Sequence, residues 1–426
     1  MLLVLLLLAT SALAAGLERK ADAGLLFGIA DGKLRVAETR PGGNAARAGI
    51  RVGDVLLTAD GGAAPATREF ARSVYKRKAG DSVVLRLLRD GAELEVTLHY
   101  PAPPPEPAVE HGAVLAAGFL RRTLVTAPPG PGPHAALLWI AGSGCGSQES
   151  PGLSDPVAQL LHALTAQYSI VTMRVEKSGA GDSDGPPCYS ADAGLAQESE
   201  SYGAALEALQ KDPRVDPARV FLVAHSAGVL SVPIVAAGRN VAGIVAAGGS
   251  GFAYFDYHLA MRRREMELAG KPEDEVEASL AIHRRCLTAL LKEHRSPDEI
   301  EKEMPDCRRR VRFDSPPVMI EGHSRIDSVA AWKSSGRAPV LLLYGTGDFV
   351  TSKKQTEALR DLINRLHPRR AAMKVLPMDH GFLAHETEAA AWAAERAGKG
   401  GALSAAAVAA IGEWIGGAAG RQAKRR

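Results

Sequence analysis

The string VFLVAHSAGVL, from Val220 to Leu230, constrains this chain more than any other. An apolar strand runs into Ala224-His225-Ser226-Ala227-Gly228 and then into an apolar helical stretch. A strand that turns sharply into a helix needs small residues on both sides, because the two backbones come close together. Such a turn pushes Ser226 out of the sheet and aims the helix amino terminus at any negative charge developing there. A serine in a small-residue turn is by itself more often structural than reactive. Its companions decide.

Two of them follow later strands. Pro339 to Tyr344 reads as a strand ending in Gly345-Thr346-Gly347-Asp348, which sets a carboxylate on a loop at the strand's end. After a second strand, Met373 to Leu376, comes Met378-Asp379-His380-Gly381-Phe382. Ser226 alone is inert near neutral pH and needs a base to take its proton. His380 supplies one if its other ring nitrogen donates to Asp348, which fixes the tautomer and stabilises the imidazolium. Asp379 is a weaker acid candidate, because adjacent side chains rarely reach each other. His385 reads as a surface or packing histidine, and His225 as a structural one pointing into the fold. The loop WIAGSGCGS, Trp139 to Ser147, follows the strand Ala136 to Ile140 and carries three glycines, so its backbone N–H groups can approach a substrate oxygen. The N–H groups of Ala227 and Ser143 are the oxyanion candidates, with Gly144 as the alternative. No lysine–serine or lysine–threonine pair closes this loop, which argues against a phosphate cradle.

The wider pattern is α/β. Strand candidates Ala136–Ile140, Ser169–Val175, Val220–Ala224, Val241–Ala247, Val340–Tyr344 and Met373–Leu376 alternate with helical spacing over Pro156–Ala166, Ser199–Leu209, Thr356–Leu366 and Ala405–Ile415. That alternation predicts a parallel sheet with helices on both faces. Between about 254 and 337 the strand signal vanishes, and those 84 residues hold 16 basic and 16 acidic side chains. Helical periodicity with such charge predicts a helical cap over the carboxyl edge of the sheet.

A second unit precedes this one. PAPPPEPA, Pro101 to Ala108, has five prolines in eight residues and predicts a semi-rigid linker over about 101–110. Before it, residues 21–100 read as a small β-rich domain: strands Leu25–Ala30, Leu34–Glu38 and Val55–Thr58, a helix over Phe70–Tyr75, and a hairpin of Ser82–Arg89 with Ala92–His99 through Asp90-Gly91. The string AARAGIRVGDVLL, Ala45 to Leu57, is its most specific part, and the stretch resembles a PDZ domain of bacterial periplasmic proteases. That resemblance implies capture of peptide C-termini by strand addition beside a loop around Ala23 to Phe27. At the start, residues 1–15 combine an unbroken apolar run with Ala12, Leu13 and Ala14, a small-residue cleavage pattern, and predict a signal peptide. The run is too short for a relaxed membrane span, so no stable membrane insertion is expected after cleavage.

The region from about 111 to 420 resembles secreted bacterial α/β-hydrolases of the esterase type. The resemblance is carried by AGSGCGS, by RVEKSGAGDSDGPPC (Arg174 to Cys188), by AHSAG and by the GTGD and DHGF strings. Ala224, where the motif has glycine, is the main departure. The resemblance implies a periplasmic or secreted serine hydrolase that cleaves a small ester or acyl substrate through an acyl-enzyme on Ser226, with no cofactor. A serine peptidase acting on peptides held by the PDZ-like domain and a non-catalytic peptide-binding protein are the alternatives. A net charge of +3 from 51 basic and 48 acidic residues gives no reason to expect nucleic acid as a partner. Metal-ligand spacings of the C-x-x-C or H-E-x-x-H kind are missing, so no metal is expected. Four cysteines allow three pairings. Cys145 with Cys188 and Cys286 with Cys307 are favoured, because the first two lie on loops at one sheet edge and the last two fall in the cap. A nucleophilic role for Cys145 is disfavoured, since no helix start adjoins it.

Overall fold

The computed structural model describes residues 17–188, 190–311 and 317–423. The expected signal peptide, 1–15, and the terminal Lys424-Arg425-Arg426 lie outside the described residues. The chain falls into two compact units, one ending at Pro105 and the other starting at Glu106.

The first unit has strands β1 (Lys20–Asp22), β2 (Leu25–Ala30), β3 (Lys33–Thr39), β4 (Val55–Ala59), β5 (Gly62–Ala63), β6 (Lys76–Lys78), β7 (Ser82–Arg89) and β8 (Ala92–His99). Helices cover Asn44–Arg47 and Arg68–Tyr75. The main sheet runs β2-β3-β4-β7-β8, with β5 added to β4. β7 and β8 pair without a break through Asp90 and Gly91, both at positive φ as a tight hairpin turn requires. Alternation along β7 sends Val83, Leu85 and Leu87 into a core shared with Leu34, Val36, Leu56 and Leu98. Asp54 is buried beneath it and accepts two 2.7 Å hydrogen bonds from the Arg89 guanidinium.

The second unit is built on β9 (Glu110–Ala116), β10 (Phe119–Thr126), β11 (His134–Ile140), β12 (Val171–Val175), β13 (Val215–His225), β14 (Gly243–Ala247), β15 (Val340–Gly345) and β16 (Ala371–Leu376). Their order in the sheet is β9-β10-β12-β11-β13-β14-β15-β16. β10 is antiparallel to both neighbours, and β11 to β16 are mutually parallel. A strand covered on both faces must be apolar throughout. Successive residues of β11 accordingly serve two cores. Leu138 and Ile140 meet the helices Leu195–Gln210, Gly228–Ala236 and Lys353–Leu366, while Leu137 and Trp139 meet Pro156–Tyr168 and Ala405–Ala423.

The antiparallel hairpin β9–β10 is the element the sequence pattern does not reveal. Glu106, inside the proline run, is also buried, in the second unit, where Arg174, His162 and the Ser150 N–H all bind its carboxylate. Between β14 and β15 the described residues form helices joined by loops, with no strand, and Val276, Leu280, Leu287 and Ile300 give this insertion a core of its own. The chain moves outward from β11 to β12 in one direction and returns through β13 in the other. The carboxyl ends of β11 and β13 therefore flank the point where strand order reverses, the usual place for a ligand in an open α/β sheet.

Candidate active site

Ser226 directly precedes Ala227, the N-cap of the helix Gly228–Ala236, and takes a left-handed conformation, φ 53°. A non-glycine residue there is strained, and the strain is held by the Ser226 N–H, which donates to Ala247 O at 2.9 Å, and by the first helical bond from Val229 N–H to Ser226 O at 3.0 Å. Gly228 allows the turn because a Cβ there would lie 2.4 Å from the Ile140 carbonyl oxygen. Ala224, the departure from the motif, is fully buried, and its methyl packs in the sheet core.

The other candidates converge on this point. His380 Nδ1 lies 3.0 and 3.1 Å from the two carboxylate oxygens of Asp348. Asp348 is itself buried and oriented by N–H groups of Val350 and Thr351, which donate to its Oδ1 at 2.9 and 2.8 Å. Burial disfavours a charge on His380, yet the Asp348 carboxylate, by its charge and its hydrogen bond, outweighs burial and raises the imidazole above its usual 6.5. With Nδ1 committed to Asp348, Nε2 is the nitrogen left for chemistry. Ser226 and His380 line one cavity of about 1200 Å³. No direct hydrogen bond joins them among the described residues; bonds of this kind tighten in the complex with substrate.

Asp379 is turned elsewhere. It accepts the Leu383 N–H at 2.8 Å and stands 3.7 Å from His385 Nε2, so it serves the loop rather than His380. His225 packs against Trp139 and Phe382, but instead of pointing wholly into the fold it also lines the cavity beside Ser226 and His380. Burial, then the nearby His380, push its pKa down to about 3, so it is neutral.

Of the glycine loop, Gly142, Ser143 and Gly144 all line the cavity, as does Ala227. Gly142 is required by close approach: a Cβ there would sit 3.0 Å from the Ser226 Cβ. Cys145 is bonded to Cys188, with Cα atoms 5.7 Å apart, and Cys286 to Cys307. These are the favoured pairings, and they remove Cys145 as a nucleophile. From the helical insertion Tyr257, His258, Met261 and His283 complete the cavity wall. No sequence motif marks these four.

In the first unit, two N–H groups of the loop expected to receive a peptide carboxylate are engaged internally. Ala23 N–H donates to Tyr75 O at 2.7 Å and Gly24 N–H to Asp22 Oδ1 at 2.8 Å.

Residues 19–99 match the family model described as a PDZ domain. The strand order of the second unit and its strained serine turn are those of an α/β-hydrolase. The second unit has the α/β-hydrolase fold, and the first matches a PDZ domain.

No curated protein matches the sequence. Among solved structures, acylaminoacyl peptidase from Pyrococcus horikoshii aligns at 10% identity over 89% of this chain and 55% of its own, with a TM-score of 0.44. The chain thus spans little more than half of that protein. An esterase from Pyrococcus furiosus aligns at 11% identity, over 64% of this chain and 83% of its own, with a TM-score of 0.41. Est1E from Butyrivibrio proteoclasticus aligns at 15% identity, over 68% and 99%, with a TM-score of 0.41. At such scores the fold assignment rests on this chain's own topology. No helix among the described residues is long and apolar enough to cross a membrane.

Proposed function

We propose that the chain is a serine hydrolase that cleaves carboxylic esters of small acyl substrates through an acyl-enzyme on Ser226. The observation that carries this reading is the His380–Asp348 contact of 3.0 Å on the cavity that also holds Ser226. His380 Nε2 takes the Ser226 proton as Oγ bonds to the ester carbonyl carbon. The negative charge that develops on the carbonyl oxygen is met by the N–H groups of Ala227 and Ser143. Collapse breaks the C–O bond, and His380 returns the proton to the leaving alcohol. Water then repeats the sequence and releases the acid and free Ser226.

The two disulfides support a reading in which the protein folds in an oxidising space, periplasmic or extracellular, after loss of residues 1–15. The PDZ domain supports a second reading, a serine peptidase fed by captured peptides, because β2 is the edge strand of its sheet and strand addition needs an edge.

Turnover of p-nitrophenyl esters tests the first reading. Ser226→Ala should lose about 10⁴-fold or more in kcat and all labelling by a fluorophosphonate. Activity unchanged by that substitution overturns it. Faster cleavage of peptides than of esters, dependent on a free carboxyl terminus, favours the peptidase.

A further inference from the structure

Beneath the glycine loop lies a buried ion pair that the mechanism above does not use. Lys177 follows β12, and Glu198 opens the helix Leu195–Gln210; both side chains are only 5% exposed. The Lys177 ammonium stands 3.2 Å from Glu198 Oε1 and donates to the carbonyl oxygen of Gly142 at 2.7 Å. Tyr202, one helical turn after Glu198 and on the same face, accepts the Ala141 N–H at 3.0 Å. Burial, with the Glu198 carboxylate beside it, keeps the Tyr202 phenol protonated. His323 is buried nearby, and burial together with the Lys177 charge pushes it down to about 4, so it adds no competing cation.

Lys177, paired with Glu198, thus holds the peptide unit between Gly142 and Ser143, and Tyr202 holds the one between Ile140 and Ala141. A buried ion pair is a poor way to gain stability, since both charges must be stripped of water. Its value here is direction. In a planar trans peptide the C=O of one residue and the N–H of the next point opposite ways. Drawing the Gly142 carbonyl toward Lys177 therefore turns the Ser143 N–H away from the ammonium, and Ser143 lines the cavity. A glycine-rich loop has little conformational preference of its own and would otherwise let this peptide rotate. A cation on the carbonyl also polarises the peptide and strengthens its N–H as a donor.

We propose that Lys177, held by Glu198, is a positioning residue that fixes the Ser143 N–H as an oxyanion donor. The proposal rests on reading Ser226 as the nucleophile. It selects Ser143 over Gly144, whose N–H belongs to the next peptide and is not set by this contact.

The test measures kcat, KM and inhibition by a trifluoromethyl ketone, which forms a tetrahedral adduct, on full-length protein. Lys177→Met should lower kcat by about 100-fold and weaken the ketone in proportion, with KM within about threefold. A merely structural lysine would change the folded fraction and leave the ketone affinity of folded enzyme alone. If Lys177→Met does not fold, Glu198→Gln removes the charge that holds the ammonium and should lower kcat several-fold at constant KM. Unchanged kcat in the folded variant overturns the proposal. Ser226→Ala runs beside them. Full turnover there overturns the nucleophile reading and this proposal with it, whereas loss there with full kcat in Lys177→Met overturns this proposal alone.

Discussion

His225 Nε2 donates to the backbone carbonyl of His380 at 2.8 Å. The carbonyl can only accept, so the neutral His225 ring carries its proton on Nε2. The residue before the serine therefore holds the loop that carries the base, across 155 residues of sequence. His225→Phe keeps an aromatic ring against Trp139 and Phe382 but leaves that carbonyl unpaired. It should cost about 1–3 kcal/mol in stability and about tenfold in kcat with little change in KM. Thermal denaturation and ester kinetics check both, and an unaltered kcat contradicts the link between the two histidines.

The pH profile of the ester reaction follows from the His380–Asp348 pair. Only neutral His380 accepts the serine proton, so kcat/KM should rise with pH along a single ionisation centred above 6.5. Asp348→Asn removes the charge that favours the imidazolium and leaves burial, which opposes it. The midpoint should then fall while the plateau drops by about 10⁴-fold. Kinetics between pH 5 and 9 decide, and a midpoint that rises in the variant is incompatible with the pairing.

Much of the second unit is legible because its strands are buried on both faces. β11, β14, β15 and the Val220–Ala224 part of β13 read as apolar runs, with Ser143, Ser226 and Asp348 just beyond β11, β13 and β15, whereas His380 follows the half-exposed edge strand β16. The hairpin β9–β10 escapes this reading because of Arg121 and Arg122. Both are buried, and their charges are met by groups distant in sequence: Arg121 by Asp184 O, Ser201 and Gln197, and Arg122 by Asp182. Two adjacent arginines break the apolar pattern, and nothing local announces their partners. Lys177 and Glu198 are hidden for the same reason, since charge in a sequence reads as surface. The one local hint is that Arg174, Glu176 and Lys177 crowd the end of an apolar strand, where solvent-facing charge has no room.

Glu106 belongs to the same class and yields a stability prediction. Burial alone raises a carboxyl, but hydrogen bonds from His162 and Arg174, the Arg174 charge and the Ser150 N–H outweigh it and carry Glu106 down to about 2. A carboxyl with a depressed folded pKa stabilises the protein above its unfolded value near 4.5, and that contribution fades as pH falls from about 5 toward 2. The shift corresponds to about 3 kcal/mol. Glu106→Gln should lower the stability of the second unit by a similar amount at pH 7 and flatten its loss on acidification. Urea denaturation at pH 7 and at pH 3.5 measures both, and equal acid sensitivity in the variant would falsify the assignment.

The two disulfides should differ in what their loss does. Cys145–Cys188 closes a loop of 43 residues and Cys286–Cys307 one of 21, so chain entropy alone assigns them about 4 and 3 kcal/mol. The difference in stability is small. Their positions differ more. Cys145 lies two residues beyond Ser143 on the loop that faces Ser226, whereas Cys286 and Cys307 join elements inside the helical insertion. Replacing Cys145 and Cys188 together by serine should therefore lower kcat by about tenfold or more, because a donor displaced by a fraction of an ångström no longer meets the oxyanion. Replacing Cys286 and Cys307 should act on KM, through the walls contributed by Tyr257, Met261 and His283, and leave kcat within about threefold. Melting temperatures of the two double variants, taken with their steady-state kinetics, separate the two roles. A kcat loss confined to the Cys286 and Cys307 variant would mean that the insertion, not the glycine loop, controls the chemical step.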